Sequence, residues 1–477
     1  MEQAGRLEEA PGGRDGAPQP EPGQEQRSPG HVFYRSPGRV YPVAVRASGV
    51  FIETADGRRL LDGCSGAVVV NMGHGRAEIA EAMYRQALEV AFAHTERFTH
   101  RPQERLAELL AGLLPEPLRR VYFVNSGSEA VETAIKLARQ FHVEEGHPGR
   151  FCVIGRWISY HGNTLGALAA GGHTGRRRPY APMLSGAFFH IPAPYCLRCP
   201  FGLRYPECGL RCAHALEEAV GRLGPETVAA FIAEPIVGAA GGAIVPPPGY
   251  YETVRAICDR HGLLWIADEV MTGFGRTGKM WAFEHWGAVP DMVVFGKAAS
   301  GGYAPLAGVA VAERVWRRIR DGSGRFIHGF TFAGNPVSCA AGVAAVEVLV
   351  REGLVQRAQE LGQRLEAALR ALAARHPVVG EVRGRGMMWG LELVQDRATL
   401  EPFPAAARMN ERVTAWAFDE GLLVYPGGGF VDGERGDHVM VAPPLVIQPA
   451  EIELLVERLD RALGRLAGYG RGQGLPA

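Results

Sequence analysis

The sequence predicts an α/β protein with a large, doubly wound and mostly parallel sheet and a smaller α+β domain. Two observations support this fold class. Between about residues 119 and 330, short apolar runs alternate with amphipathic stretches, which is typical of buried strands and the helices that cover them. From about residue 345 the chain changes to helices rich in Leu, Ala and Arg with a few strands, which indicates a separate unit. A chain of 477 residues is long enough for both.

Several shorter elements precede the large sheet. Residues 1–30 are mostly Gly, Pro, Glu, Gln and Arg, and burial of so few apolar side chains cannot offset chain entropy, so we predict a disordered tail. Alternating residues at 50–53, followed by an Ala-Asp-Gly turn, indicate strands. Residues 78–92 and 103–114 have the apolar spacing of helices.

Five apolar runs in the central region are candidates for buried strands: residues 121–124, 151–154, 229–233, 263–267 and 292–295. Amphipathic stretches at 129–143 and 250–261 lie between them and are predicted to be helices. In an open α/β sheet, ligands bind beyond the carboxyl ends of the strands. The residues that follow these runs are therefore the first candidates for a functional site.

The charge balance and the cysteine content exclude several classes of protein. Lys+Arg and Asp+Glu are both 51, so there is no basic field for nucleic acid. No apolar run is long enough for a membrane span, and the first residues lack the apolar core of a secretory signal. Eight cysteines in so long a chain do not suggest a disulfide scaffold. We therefore expect a cytoplasmic protein that is either an enzyme acting on small molecules or a scaffold, and not a protein that binds polyanions.

Lys297 is the most informative side chain. It follows the run at 292–295 and begins a loop of small residues, which leaves room for a carbonyl compound to condense on its amine. Taken alone, a lysine in this setting is more often an ordinary surface or ion-paired residue. Asp268 ends another predicted strand and would face the same crevice, where a buried carboxylate needs a cationic partner. A protonated ring nitrogen or an arginine would serve.

Two further segments complete this set of residues. Ser126-Gly127-Ser128 lies between a predicted strand and a predicted helix, so it can bind an anion at the helix N-terminus or simply cap the helix. Tyr160, in Tyr160-His161-Gly162, could stack on a flat ligand or pack in the core. With Lys297 and Asp268 they provide an anion-binding turn, an aromatic ring, a carboxylate and an amine. These are the groups that a protein needs to bind pyridoxal phosphate (PLP).

The chain resembles the class III, fold-type I PLP-dependent aminotransferases over about residues 40 to 465. One motif alone would be weak, but the ordered set is specific. The matching motifs are Ser126-Gly127-Ser128-Glu129-Ala130, Tyr160-His161-Gly162, Ala233-Glu234-Pro235, Ala267-Asp268-Glu269-Val270, Gly273-Phe274-Gly275-Arg276-Thr277-Gly278, Gly296-Lys297, Thr331-Phe332-Ala333-Gly334-Asn335-Pro336 and Val382-Arg383-Gly384-Arg385-Gly386. The resemblance implies a large PLP-binding domain over residues 76–340, and a small domain formed by segments 31–75 and 341–470.

The resemblance also implies a role for each matched residue. Lys297 would carry the cofactor as a Schiff base, and Asp268 would pair with its ring nitrogen. Gly127 and Ser128 would bind the phosphate, Tyr160 would stack on the ring, and Val270 would pack on its opposite face. Ser126 and His161 are the other implied cofactor contacts.

Members of the family are homodimers in which the threonine that matches Thr331 reaches the phosphate of the neighbouring subunit. The resemblance therefore implies a composite active site. Arg383 matches the arginine that holds a substrate carboxylate, a role that suits the fork of a guanidinium group. Arg385 is the second candidate for this role, and Arg276 is expected to be structural.

Two departures from the family pattern concern the acceptor. Members that use 2-oxoglutarate often carry a glutamate shortly after the Glu-Pro motif and a glutamine three places after the aspartate. Ala239 and Met271 stand at these positions. Both departures resemble the ω-amino acid and amine transaminases that work with pyruvate. We therefore expect transfer of an amino group from an ω-amino acid or amine to a 2-oxo acid, with pyruvate favoured over 2-oxoglutarate.

Other reactions of the family remain open at this point. The fold and cofactor do not decide between transamination and a lyase, decarboxylase, racemase or epimerase reaction, because residues of the substrate pocket choose which bond reacts. Arg176-Arg177-Arg178 could bind an amino-phosphate or phosphonate substrate, or form a solvated loop. A scaffold without activity would be marked by loss of Lys297 or Asp268, and both are present.

Four cysteines form two close pairs, Cys196 with Cys199 and Cys208 with Cys212. This spacing could make a zinc knuckle in a reducing compartment, a set of redox-labile thiols, or an inert loop. PLP needs no metal, and we predict no metal site.

Overall fold

The structure is a computed structural model that describes residues 31–472, so the predicted tail at 1–30 lies outside the described residues. Within that range the strands are β1 (Ala44–Ser48), β2 (Phe51–Thr54), β3 (Arg59–Asp62), β4 (Leu118–Val124), β5 (Cys152–Arg156), β6 (Phe188–Ile191), β7 (Val228–Ala233), β8 (Leu264–Asp268), β9 (Met292–Phe295), β10 (Ala307–Ala312), β11 (Val379–Arg385), β12 (Met388–Leu393), β13 (Leu422–Leu423), β14 (Tyr425–Gly428) and β15 (Asp437–Val441). The α-helices are α1 (Ser65–Val68), α2 (Ala77–Glu89), α3 (Arg101–Leu113), α4 (Gly127–Glu144), α5 (Leu165–Ala170), α6 (Thr174–Arg177), α7 (Arg211–Leu223), α8 (Tyr250–His261), α9 (Glu313–Asp321), α10 (Pro336–Arg351), α11 (Leu354–Arg375), α12 (Met409–Asp419) and α13 (Pro449–Gly472).

The largest sheet has seven strands in the order β4-β10-β9-β8-β7-β5-β6. Neighbouring strands from β9 to β6 run parallel, whereas β10 is antiparallel to both β9 and β4. This confirms the predicted α/β fold with a mostly parallel sheet. All five apolar runs are strands of this sheet, and the structure adds β6 and β10.

The central strands explain why the runs are continuously apolar. Every residue of β7, β8, β9 and β10 is buried, so both faces of the sheet are covered. Polar residues therefore become available for chemistry only where these strands end. This is the edge where Asp268 and Lys297 lie.

Two smaller sheets contain the remaining strands, in the orders β1-β2-β3-β13 and β11-β12-β15-β14. β13 pairs in parallel with β3, so the first sheet joins the N-terminal and C-terminal segments. The assignment of these segments to one small domain stays a prediction. The predicted boundary between residues 340 and 341 falls inside α10, which packs against α2 and α3, so a boundary there would divide a continuous helix.

None of the helices within residues 31–472 is both long enough and apolar enough to cross a membrane.

Candidate active site

Loops at the carboxyl ends of β4, β5, β7, β8 and β9 surround one cavity of about 170 Å³. The structure thus brings together the predicted cofactor contacts, with the exception of Thr331. The cavity is lined by Ser126, Gly127, Ser128, Tyr160, His161, Gly162, Glu234, Ile236, Ala239, Asp268, Val270, Met271 and Lys297.

Lys297 begins a short 3₁₀ helix, Lys297–Ser300, directly after β9 and Gly296. Its φ of 48° lies in the left-handed region, which is costly for a residue other than glycine and is often found at functional sites. Burial lowers the pKa of Lys297 to about 8, although the nearby charges of Asp268 and Glu234 act in the opposite direction. A substantial fraction of the amine is therefore neutral near physiological pH, and the neutral amine is the form that attacks a carbonyl group.

Asp268 ends β8 and is almost fully buried. One oxygen, Oδ2, lies 2.7 Å from Nδ1 of His161, and the other accepts a hydrogen bond of 3.1 Å from the N–H of Val270. These contacts fix the orientation of the carboxylate beside the cavity. The Nε2 atom of His161 is buried and has no hydrogen-bond partner within the described part of the chain.

Ser126 is the N-cap of α4, and its Oγ accepts a hydrogen bond of 3.2 Å from the N–H of Glu129. The capping interpretation and the anion-binding interpretation are compatible, because the cap leaves the first N–H groups of the helix open to a ligand. Space here is tight. A Cβ at Gly127 would lie 3.0 Å from the Val270 side chain, and one at Gly162, where φ is 136°, would collide with Ser128.

Glu234 is a site residue whose role was not predicted, although its Ala-Glu-Pro motif was recognised. Its Oε2 accepts a hydrogen bond of 3.3 Å from the N–H of Tyr160, and its Oε1 accepts one of 3.0 Å from the N–H of Gly238. Burial raises the pKa of Glu234, with a further rise from Asp268 that His161 opposes. Glu234 therefore fixes the backbone of Tyr160 against the loop that follows β7.

The sequence model of the aminotransferase class-III family matches residues 34–463. The chain belongs to this family. Class-III aminotransferases depend on PLP, so PLP is the cofactor of this enzyme.

Relatives of this class-III aminotransferase include proteins with named substrates. A diaminobutyrate–2-oxoglutarate transaminase of Halomonas elongata is 37% identical over 440 residues, which are 90% of this chain and 91% of the relative. A putrescine–pyruvate aminotransferase of Pseudomonas aeruginosa is 35% identical over 427 residues, 89% of this chain and 91% of the relative. Among solved structures, an amine transaminase from an uncultivated Pseudomonas species in its PLP-bound form is 37% identical, with a TM-score of 0.84, and the match covers 89% of this chain and 95% of that one.

The cavity of the aminotransferase fits PLP in three respects. The N-terminus of α4 suits the phosphate, the buried carboxylate of Asp268 suits a protonated ring nitrogen, and the amine of Lys297 suits the aldehyde. The flat ring of Tyr160 lines the same cavity. These residues would hold the cofactor.

Arg383 does not lie in this cavity. It is buried on β11, where Nη1 is 2.6 Å from Glu392, 2.8 Å from Glu381 and 2.7 Å from the hydroxyl of Tyr195. Its Nε and Nη2 donate to the carbonyl oxygens of residues 242 and 241 at 2.8 and 2.6 Å. Because the protein already uses these donors, the geometry argues against the predicted role of Arg383 in holding a substrate carboxylate.

The other two arginines of the motifs also lie outside the cavity. Arg385 is exposed and, like Arg383, lines a separate cleft of about 790 Å³. Arg276 is fully buried and donates to the carbonyl oxygens of Met387 and Pro443 at 3.1 and 2.6 Å. This position agrees with the structural role expected of Arg276.

Thr331 is exposed just before α10, away from the cavity of its own chain. A contact with the phosphate of a second subunit stays a prediction.

The thiols of Cys196, Cys199, Cys208 and Cys212 line one small cavity. Burial and the neighbouring thiols raise the pKa of Cys212 to about 11. Across residues 31–472, no group of three or more His, Cys, Asp or Glu side chains is arranged to hold a metal ion. All eight cysteines are free thiols, which a reducing compartment would maintain, and the cytoplasmic location stays a prediction.

Proposed function

We propose that this class-III aminotransferase moves an amino group from an ω-amino acid or amine to a 2-oxo acid, with pyruvate as the favoured acceptor. The observation that carries the proposal is the convergence of Lys297 and Asp268 with the α4 N-terminus in one cavity. When bound, PLP supplies an electron sink that lets an amino group pass between two carbon skeletons.

Two side chains perform the steps that the protein itself contributes. The Nζ of Lys297 would hold PLP, and the free amine can accept and return a proton near neutral pH because its pKa is about 8. The carboxylate of Asp268 is oriented by His161 and by the N–H of Val270, so it can stabilise a positive charge without moving.

The preference for pyruvate is supported by two residues that line the same cavity as Lys297. Ala239 and Met271 line the cavity, and neither carries a group that could bind a carboxylate. Pyruvate has one carboxylate, whereas 2-oxoglutarate has two, and burial of an unpaired second charge is costly. The two named relatives use different acceptors, so similarity alone does not choose between them.

The proposal predicts the result of an acceptor comparison. With one amine donor held constant, we expect kcat/KM for pyruvate to exceed that for 2-oxoglutarate by about tenfold or more, equivalent to ~1.4 kcal/mol. Product analysis of parallel reactions with several donors measures this ratio. A reaction without any 2-oxo acid is the control, and turnover there would indicate a lyase or decarboxylase instead. Faster use of 2-oxoglutarate across the donors would contradict the proposed preference.

We further propose a homodimer with composite active sites. The rings of Phe92 and Phe332 meet edge to face at 5.8 Å, yet 47% and 57% of these residues are exposed. Thr331 precedes Phe332 on this surface. Exposed apolar side chains that adjoin a residue matched to the cofactor site support an interface between copies of the chain.

Mixing two inactive variants tests the composite site. In a hybrid of Lys297→Ala and Thr331→Arg subunits, one of the two sites combines an intact Lys297 with an intact Thr331. We expect random reassembly to restore about a quarter of the native activity, because half of the dimers are hybrids with one native site each. Each variant alone is the control. Sedimentation as a monomer, or mixtures that stay inactive although hybrids form, would refute the composite site.

A further inference from the structure

Residues 176–178 are three consecutive arginines that have no role in the proposed mechanism. In the structure their guanidinium groups have different surroundings. Arg177 donates from Nη1 to the carbonyl oxygens of residues 168, 169 and 171 at 3.0, 2.6 and 2.7 Å, so it holds the local backbone together. Arg178 is exposed and pairs with Glu434 at 2.8 Å. Both guanidinium groups are therefore occupied by the protein.

Arg176 is placed differently. Its Cζ lies 4.5 Å from the centroid of the Tyr160 ring, and Tyr160 lines the cavity that contains Lys297. The residue is partly buried, and its guanidinium forms no ion pair with any residue in the described range 31–472. Stacking on an aromatic ring fixes the plane of a guanidinium while its N–H edge stays free to bind a carboxylate.

The positive charge of Arg176 acts on two groups of the site, the amine of Lys297 and the hydroxyl of Tyr160. Burial is the main cause of the lowered pKa of Lys297, and the positive charge of Arg176 contributes to the lowering. At Tyr160, burial raises the pKa of the hydroxyl and Arg176 acts against that rise. An anion bound at Arg176 would thus lie close enough to Lys297 for its charge to act on the amine.

We infer that Arg176 binds the carboxylate of the 2-oxo acid acceptor on the Tyr160 side of the cavity. This inference rests on the proposed aminotransferase function and names the residue that recognises the acceptor. It assigns to Arg176 the task expected of Arg383, whose donors are occupied by carboxylates, a hydroxyl and backbone carbonyls.

The test compares two acceptors that share a reacting carbonyl group. Pyruvate carries the carboxylate, and acetaldehyde lacks it. With the same amine donor, we expect Arg176→Gln to raise the KM for pyruvate by about 100-fold and to change kcat/KM for acetaldehyde by less than about threefold. Arg176→Lys should recover part of the pyruvate KM, because it keeps the charge but loses the fork. Arg178→Gln is the matched control and should behave like the native enzyme.

The outcomes separate the inference from the proposed function. An unchanged pyruvate KM in Arg176→Gln overturns the inference alone. Equal losses with both acceptors, with unchanged cofactor absorbance and thermal midpoint, also overturn it, because they show a role that does not depend on the carboxylate. If Arg176→Gln does not fold, Arg176→Lys decides by the same ratio of the two acceptors. A native enzyme that binds PLP but transfers no amino group to any 2-oxo acid overturns the proposed function, and the inference with it.

Discussion

Replacement of Lys297 with alanine is expected to lower turnover by about 10⁴-fold or more, because one change removes both the covalent anchor and the group that moves the proton. The chain has three lysines, Lys136, Lys279 and Lys297, so a control is available. Lys136 lies on the exposed side of α4, and Lys136→Ala should keep native turnover. Rates are measured with saturating PLP and donor, and the visible absorbance of the bound cofactor is recorded for each protein. If Lys297→Ala kept more than about a hundredth of the native rate, the assignment of Lys297 as covalent anchor and proton-transfer group would be contradicted.

Protonation of the same amine gives an independent measurement. Burial lowers the pKa of Lys297 to about 8, so its neutral, reactive fraction should rise between about pH 7 and 9. An ordinary exposed lysine has a pKa of about 10.4 and becomes neutral only at higher pH. Labelling of the cofactor-free enzyme with an amine-directed reagent, followed by peptide mapping, reports each of the three lysines separately. A labelling midpoint above pH 10 at Lys297 would show that the amine is not desolvated.

Most of the large sheet could be predicted because its central strands are buried on both faces and are therefore continuously apolar. The strands that were missed lack this signal. β10 consists only of Ala, Gly and Val, a composition that also suits a helix or loop, and β6 is a four-residue strand with a histidine. Their place in the sheet is decided by pairing with β9, β4 and β5, which the local sequence does not encode.

The cofactor cavity was predictable for a related reason. Asp268, Lys297 and the Ser-Gly-Ser turn each adjoin a strand of one sheet, so knowledge of the strands places them at a common edge. The roles of Glu234 and Arg383 could not be predicted in this way. The role of Glu234 depends on the position of the Tyr160 backbone, and that of Arg383 depends on Tyr195 and on the register of β11 against β12. These contacts between distant segments determined whether each charge faces the ligand or the protein.

Replacement of Arg383 with methionine is expected to destabilise the protein much more than it weakens substrate binding. Burial alone would lower the pKa of Arg383, but Tyr195, Glu392 and Glu381 raise it above its usual value, so the guanidinium is a charged member of a buried network. Removing it leaves Glu392, which is fully buried, with one cationic partner fewer. Loss of one member of a buried ion pair typically costs about 3–5 kcal/mol in the free energy of unfolding.

Denaturation by urea, at fixed concentrations of protein and PLP, measures this loss, because both concentrations affect apparent stability. Arg385→Met is the matched control: the residue is exposed on the same strand, and its replacement should change the free energy of unfolding by less than about 0.5 kcal/mol. Adding Glu392→Gln to Arg383→Met should restore part of the stability, because the neutral amide carries a smaller desolvation cost than an unpaired carboxylate. At a temperature where Arg383→Met is folded, the KM for pyruvate should rise less than about threefold. A stable Arg383→Met protein with a KM raised about 100-fold would instead make Arg383 the carboxylate-binding residue and would leave Arg176 without that role.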